Sequence, residues 1–314
     1  MRYLEDIKEN ERIIEHYLCR TKQIMKSRSG KTYYSLRLAD KTGQMDAKVW
    51  ELNNDIQAFE EGDMIKIDAQ VVIFNNDMQL KISKLRKSQE DEYVPMNYVP
   101  HTERDIEELY QELCEFVKSI VHPKVRALLE GIVINDPERV ELLKKHSAAK
   151  QMHHSYMGGL LEHTLNVTQI CDFMCSRYKH VNRDILITGA ILHDIGKIYE
   201  LSPMPMNDYT DDGQMLGHIM IGVEMVTAEA AKIPDFPHTL CSLLKHAIIA
   251  HHGEYEFGSP KLPATIEAFL LHCADNMDAK VKTFEEILDK DSTAGAWTGY
   301  QKMLNRYIRR SDFD

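Results

Sequence analysis

Several marks of familiar protein classes are missing from this chain. None of its six cysteines (Cys19, Cys114, Cys171, Cys175, Cys241, Cys273) stands in a C-x-x-C pair. That argues against a zinc ribbon and a thioredoxin-type redox site. No apolar run approaches the length that spans a bilayer, so no membrane partner is expected. The opening residues Met1-Arg2-Tyr3-Leu4-Glu5-Asp6 are charged and offer no apolar signal core. A cytoplasmic chain with reduced thiols is therefore expected. An excess of positive charge is missing too: the net charge is −11, which argues against a general basic coat for nucleic acid. No Ser, Cys or Thr nucleophile motif stands out, so direct attack by water is preferred to a covalent intermediate. Internal repeats and low-complexity tracts are also missing.

What is present suggests two or three domains. The chain has 314 residues, 43% hydrophobic and 28% charged, enough for a large core. Its charge is uneven. Residues 1–90 hold 16 Lys/Arg against 15 Asp/Glu, and the remainder holds 22 against 34. An acidic second part fits a carboxylate-rich metal site, and it would repel phosphodiesters unless cations offset it.

Residues 1–90 read as β-rich. Tyr33, Tyr34, Leu36 and Leu38, then Met45, Ala47 and Val49, alternate with polar residues at the strand period of two. The turn-rich segment 39–44 joins them as a hairpin. A helical piece is expected over about 53–59, then strands over 64–74 and 78–85. Five strands in this length predict a small closed barrel of the OB type. Within 20–41, Arg20, Lys22, Lys26, Arg28, Lys31, Arg37 and Lys41 face one acid, Asp40, with Tyr33 and Tyr34 interleaved. Cations that track a phosphate backbone and aromatics that stack bases are how such barrels grip single strands. Arg28, Lys31, Tyr33, Tyr34 and Arg37 are thus the candidate nucleic-acid contacts. Strand alternation must turn one of the two tyrosines into the core, which leaves one for stacking.

Residues 87–101 form a polar linker closed by prolines. The segment 102–105 resembles a capping box for a helix over about 106–121, and Asp136-Pro137 an N-cap with Pro at N1. Beyond residue 100 apolar residues recur at helical spacing, with no convincing strand pattern. The expected organisation is a barrel over 1–90, linker and connecting helices over 91–135, and a helical domain over 136–314 with a C-terminal helical extension. That extension carries Trp297, Tyr300, Lys302, Arg306, Tyr307, Arg309 and Arg310, a basic amphipathic run. Packing against the bundle or a sister subunit is favoured for it over RNA docking, which leaves a homo-oligomer open.

The functional signal lies in the helical part. His163, His193-Asp194, His218, His251-His252 and Asp275 recur at intervals of 30, 24, 33 and 24 residues, each within an apolar helix-like segment. Separate helices can then each aim one ligand at a common point. Imidazole with carboxylate suits Mn, Fe, Co, Ni or Zn, and two such ions can hold both ends of a displacement at phosphorus. Asp194, with two oxygens, can bridge two ions. Gly196 allows close backbone approach or ends the helix. Lys197, one turn beyond Asp194, can meet a phosphate oxygen or assist the leaving group. Each residue taken alone has a plainer reading: a satisfied core histidine at His163, surface exposure at His218, dipole complementation at His251-His252. Their recurrence in one order favours metal.

These residues resemble the H…HD…D signature of the HD-domain superfamily of metal-dependent phosphohydrolases, and His218 and His251 are similar to the added ligands of its dinuclear members. The stretch His153-His154-Ser155-Tyr156-Met157-Gly158-Gly159-Leu160-Leu161-Glu162-His163-Thr164, preceded by an OB-like domain, resembles a narrower group, the YhaM-type 3′→5′ exoribonucleases. The resemblance extends over nearly the whole chain, including Ala274-Asp275-Asn276-Met277-Asp278-Ala279-Lys280. It implies an OB barrel followed by an all-α HD bundle. It implies one ion held by His163, His193, Asp194 and Asp275, and a second that shares Asp194 and adds His218 and His251. Mn²⁺ is the ion it suggests, with Co²⁺, Fe²⁺, Ni²⁺ and Zn²⁺ also open. The implied activity is stepwise removal of nucleoside monophosphates from the 3′ end of single-stranded RNA, with single-stranded DNA a further candidate. The alternatives are a phosphohydrolase of small nucleotides and a nucleic-acid-binding protein with a vestigial metal site. His252 and His154 stand as further ligand or substrate candidates, and His153 with His154 as either a substrate-binding or a structural pair before the helix.

Overall fold

A computed structural model describes residues 1–75, 77–150 and 154–311, so His153 lies outside the described residues. By its contacts the chain divides into two compact units, Met1–His101 with Met204–Met206, and Thr102–Pro203 with Asn207–Asp314.

The first unit is built on five strands: β1 (Arg12–Lys26), β2 (Thr32–Asp40), β3 (Gly43–Val49), β4 (Met64–Phe74) and β5 (Asp77–Lys87). They close in the order β1-β2-β3-β5-β4, with β3 parallel to β5 and the other pairs antiparallel. Closure leaves no free sheet edge. Met45, Ala47 and Val49 all turn inward, as their alternation predicts. The two tyrosines part in the same way. Tyr34 packs edge-on against buried Phe59, and Tyr33 faces outward. The helix expected over 53–59 does not form. The Asn53 side chain accepts from the Asp55 N–H and closes a turn, and the backbone of Asp55 and Gln57 then bonds to Leu85 of β5. A local Asn cap plus pairing to a strand outcompetes a short helix that would bury little.

The second unit is helical: α1 (Ile106–Ser119), α2 (Pro123–Val133), α3 (Pro137–Lys145), α4 (Gly159–Arg177), α5 (Arg183–Leu192), α6 (Lys197–Glu200), α7 (Asp211–Lys232), α8 (His238–Ala250) and α9 (Ile266–Lys290). Helix α5 is buried on every side from Ile185 to Leu192, as a central helix must be. Its N-cap is Asn182, and Thr210 and Thr265 cap α7 and α9. Each such cap contributes about 1 kcal/mol. Asp136 caps α3 with Pro137 behind it, as expected. At α1 the cap is Asp105, which accepts from Glu107 and Glu108, rather than a box begun at Thr102.

One further expectation is corrected. Helix α9 runs through Asp275 to Lys290, and the segment after it is not a helical extension. It doubles back, with Trp297 bridged to Arg309 and Gln301 to Arg306, and the Arg310 guanidinium bonds Asp291. Among the described residues no helix is long and apolar enough to cross a membrane.

Candidate metal centre and nucleic-acid interface

Five helices deliver the site. His163 sits in the first turns of α4, His193 caps α5 with Asp194 next to it, and His251 caps α8 with His252 next to it. Asp275 lies inside α9. His218 needs a break in α7 to reach the others: Gly217 adopts φ 70°, ψ 161°, a conformation natural to glycine that splits the helix in front of His218. Gly196 completes the arrangement. A Cβ there would overlap the carbonyl oxygen of His218, so glycine lets the Asp194 turn pack flush against α7.

All the predicted ligands converge. His163 Nε2 lies 3.2 Å from His193 Nε2, 3.2 Å from Asp275 Oδ1 and 3.5 Å from Asp194 Oδ2. His218 Nε2 and His251 Nε2 lie 3.5 and 3.6 Å from the other oxygen of the same carboxylate, Asp194 Oδ1. Asp194 thus turns one oxygen to each of two histidine pairs. His252 joins the second group with His218 and His251.

Hydrogen bonding fixes which ring nitrogens carry lone pairs. The Nδ1–H of His193 donates to the Ala190 carbonyl at 2.8 Å, and that of His251 to the Ile248 carbonyl at 2.7 Å. A carbonyl only accepts, so in the neutral rings both Nε2 atoms are bare. His163 Nδ1 bonds Asp278 at 2.7 Å and His218 Nδ1 bonds Glu200 at 3.0 Å. These carboxylates hold the rings as second partners hold the imidazoles of metal sites. The four Nε2 lone pairs then converge on carboxylate oxygens. Acceptors facing acceptors repel unless positive charge lies among them.

The burial record agrees. Asp194 Oδ1, His218 Nε2 and His252 Nδ1 are buried without a hydrogen-bond partner. Leaving such atoms unmatched is costly, and a cation satisfies all three. Burial opposes charge on His163, but Asp275 and Asp278 prevail and raise its pKa to about 9. The negative field that would hold a proton there will hold a metal ion. Burial likewise opposes the Asp194 carboxylate, yet the Lys197 ammonium and His193 hold its pKa well below the ordinary value. Burial keeps His251 neutral, which leaves its lone pair available. The donor set of imidazole nitrogens and carboxylate oxygens fits Mn, Fe, Co, Ni or Zn.

Lys197 donates to Asp194 Oδ2 at 2.6 Å and lines two cavities, one bordered by His163, Asp194, His251 and Asp275 and the other by Glu200 and His218. His154 is fully buried. Its Nε2 bonds Asp278 at 3.0 Å and its Nδ1 bonds the Tyr156 hydroxyl at 2.8 Å. Asp278 links it to His163, and His154, His163 and Asp278 form a further group that could hold a metal ion. Sequence reading assigned no role to Asp278 or Glu200. Their positions carried the signal, three residues beyond Asp275 and Lys197 and so on the same helix faces. Asp278→Asn is expected to weaken metal binding by roughly 10- to 100-fold, as loss of an outer partner does. Calorimetric titration with Mn²⁺ measures this, and unchanged affinity would refute the orienting role.

On the barrel, Arg28 and Lys31 are exposed beside the β1–β2 turn. Tyr33 stacks on Trp50, with ring centroids 4.4 Å apart and planes at 26°. Trp50 is 42% exposed, so the pair offers an aromatic face to solvent. Sequence reading missed Trp50 because it follows the last residue of β3, outside the alternating run. Arg37 pairs with Asp46 at 2.9 Å, which offsets its charge. Tyr34, turned inward, is withdrawn from the candidate contacts.

Comparison with known proteins agrees with both halves. A model described as HD domain matches residues 160–280, and one described as OB-fold nucleic acid binding domain matches residues 19–87. The 3′-5′ exoribonuclease YhaM of Oceanobacillus iheyensis is 34% identical over 288 residues, 91% of this chain and 90% of that protein. Its namesake in Shouchella clausii is 32% identical over 279 residues, 86% and 83% of the two chains. That of a Geobacillus species is 30% identical over 264 residues, 83% and 80%. This chain belongs to the YhaM family of 3′-5′ exoribonucleases.

Proposed function

We propose that the protein is a 3′-5′ exoribonuclease that removes nucleoside monophosphates from single-stranded RNA with two divalent ions, Mn²⁺ foremost. One observation carries this reading: a single buried carboxylate, Asp194, turns its two oxygens to two separate histidine pairs. That is the geometry of a bridge. Two cations held there would make a water acidic enough to lose a proton and attack phosphorus, and would neutralise the charge that builds on the phosphoryl oxygens.

The chain's own residues do the rest. Asp278 and Glu200 fix the His163 and His218 rings. Lys197, its ammonium held by Asp194, is the group placed to meet a phosphate oxygen or the leaving oxygen. In the barrel, Arg28 and Lys31 follow the phosphates, and the Tyr33–Trp50 face stacks a base. The proposal places the enzyme in the cytoplasm, where its substrate is made and where six free thiols persist.

The test is incubation of the purified protein with Mn²⁺ and 5′-labelled single-stranded RNA, then with DNA and free nucleotides. Stepwise shortening from the 3′ end is expected. Turnover of free nucleotides with intact RNA would replace the proposal by a small-nucleotide phosphohydrolase. RNA binding without turnover under any divalent metal would leave a vestigial site. In the same preparation Trp50→Ala is expected to weaken RNA binding by on the order of tenfold, the worth of one stacked base. Fluorescence anisotropy reads this, and an unchanged Kd would remove the aromatic face from the account.

A further inference from the structure

The cavity over the metal cluster has a wall that the ligand set does not explain. It measures about 260 Å³, and Phe257, Asn276, Ala279 and Ala148 line it beside His163 and Asp275. Phe257 is 56% exposed, a large apolar ring left in solvent at the mouth of a strongly polar site. Its loop is firmly held. The Phe257 N–H donates to the Glu254 carbonyl, and Gly258 ends the turn in the left-handed region and donates to Tyr255. The Ser259 hydroxyl ties the loop back to the carbonyls of Ile249 and Lys261. The ring is therefore presented by a braced loop that follows directly from His251-His252.

Two small residues, Ala148 and Ala279, also line the cavity and leave room for a flat group. Asn276, next to the ligand Asp275, offers an amide with no hydrogen-bond partner among the described residues. An aromatic plane, a gap and a free amide beside a phosphate-cleaving centre fit a nucleoside, with base against ring and sugar hydroxyls toward the amide. A second cavity, of about 500 Å³, shares Ala148 and Lys197 with the first and is lined by Lys150 and Tyr209. Lys197 thus lines both the small cavity and the large one. A phosphodiester at Lys197 would place one neighbour in each. The small cavity suits the single nucleoside that leaves, and the large one the continuing chain.

We propose that Phe257 stacks the base of the 3′-terminal nucleotide and that Asn276 hydrogen-bonds its ribose, forming the subsite from which the product departs. This deepens the exoribonuclease reading and rests on it.

The experiment compares kcat/KM for removal of the terminal residue from two RNAs, one intact and one whose last nucleoside is replaced by 1-deoxyribose. The wild-type protein is expected to prefer the intact end by on the order of tenfold. Phe257→Ala is expected to process the two ends equally, and Phe257→Tyr to restore the preference. Such surface substitutions are well tolerated, and a melting curve of each variant checks the fold. A wild type indifferent to the terminal base, or a Phe257→Ala variant that keeps the full preference, overturns the subsite. Failure of the wild type to shorten RNA with any divalent metal would instead overturn the exoribonuclease reading beneath it.

Discussion

Asp194→Asn is expected to abolish nuclease activity while RNA binding survives. The substitution keeps the size of the side chain and removes its charge. It also replaces one of the two oxygens by an amide nitrogen that cannot ligate a cation. One histidine pair therefore loses its share of the carboxylate, whichever way the amide turns. Lys197, which donates to Asp194 Oδ2, loses its anionic partner as well. The expected fall in kcat is on the order of 10³-fold or more, since both water activation and charge neutralisation depend on the ions. The candidate RNA contacts on the barrel are untouched, so the Kd for single-stranded RNA should stay within about twofold. Single-turnover cleavage and anisotropy on one preparation provide both readings. Substantial retained cleavage would contradict the bridge.

Removal of metal carries the second large effect. Asp194, Asp275, Asp278 and Glu200 crowd around the cluster, and Lys197 alone among the residues described there is a fixed cation. Stripped of ions, such a site holds four carboxylates offset only by Lys197 and by a proton on His163. Chelation should reduce activity to background and should also lower the melting temperature of the helical unit. At free metal about 100 times Kd, ligation adds about 2.7 kcal/mol to folding stability. For a unit of this size that moves Tm by roughly 5–10 °C. Differential scanning calorimetry with and without Mn²⁺ measures it. A helical unit whose melting ignores metal would mean that the cluster is a self-sufficient hydrogen-bonded core.

Much of this site was legible because its ligands ride on strongly periodic helices. His163, His193 and His251 each belong to an apolar segment whose helical period is unmistakable, and their order matched a known pattern. The Tyr33–Tyr34 pair was legible in the same way, since a strand must turn one of them inward. The partners of the ligands were harder to read. Asp278 meets His163 across 115 positions of sequence, and nothing local marks that meeting. Glu200 meets His218 through a break at Gly217 that an apolar pattern does not reveal. Asp275 lies within α9, where a carboxylate is costly to bury unless paired, and His163 offsets that cost. The segment 297–310 misled for the opposite reason. Its aromatic and basic residues fit a helical face, but pairing of Trp297 with Arg309 and of Arg310 with Asp291 selects a doubled-back chain.

The most direct test is a count of bound ions. Protein dialysed to equilibrium against Mn²⁺ is analysed for metal per chain, wild type beside Asp194→Asn. Two ions in the wild type and fewer than two in the variant are predicted. A single ion in the wild type, or two retained by the variant, would contradict a shared carboxylate between paired cations.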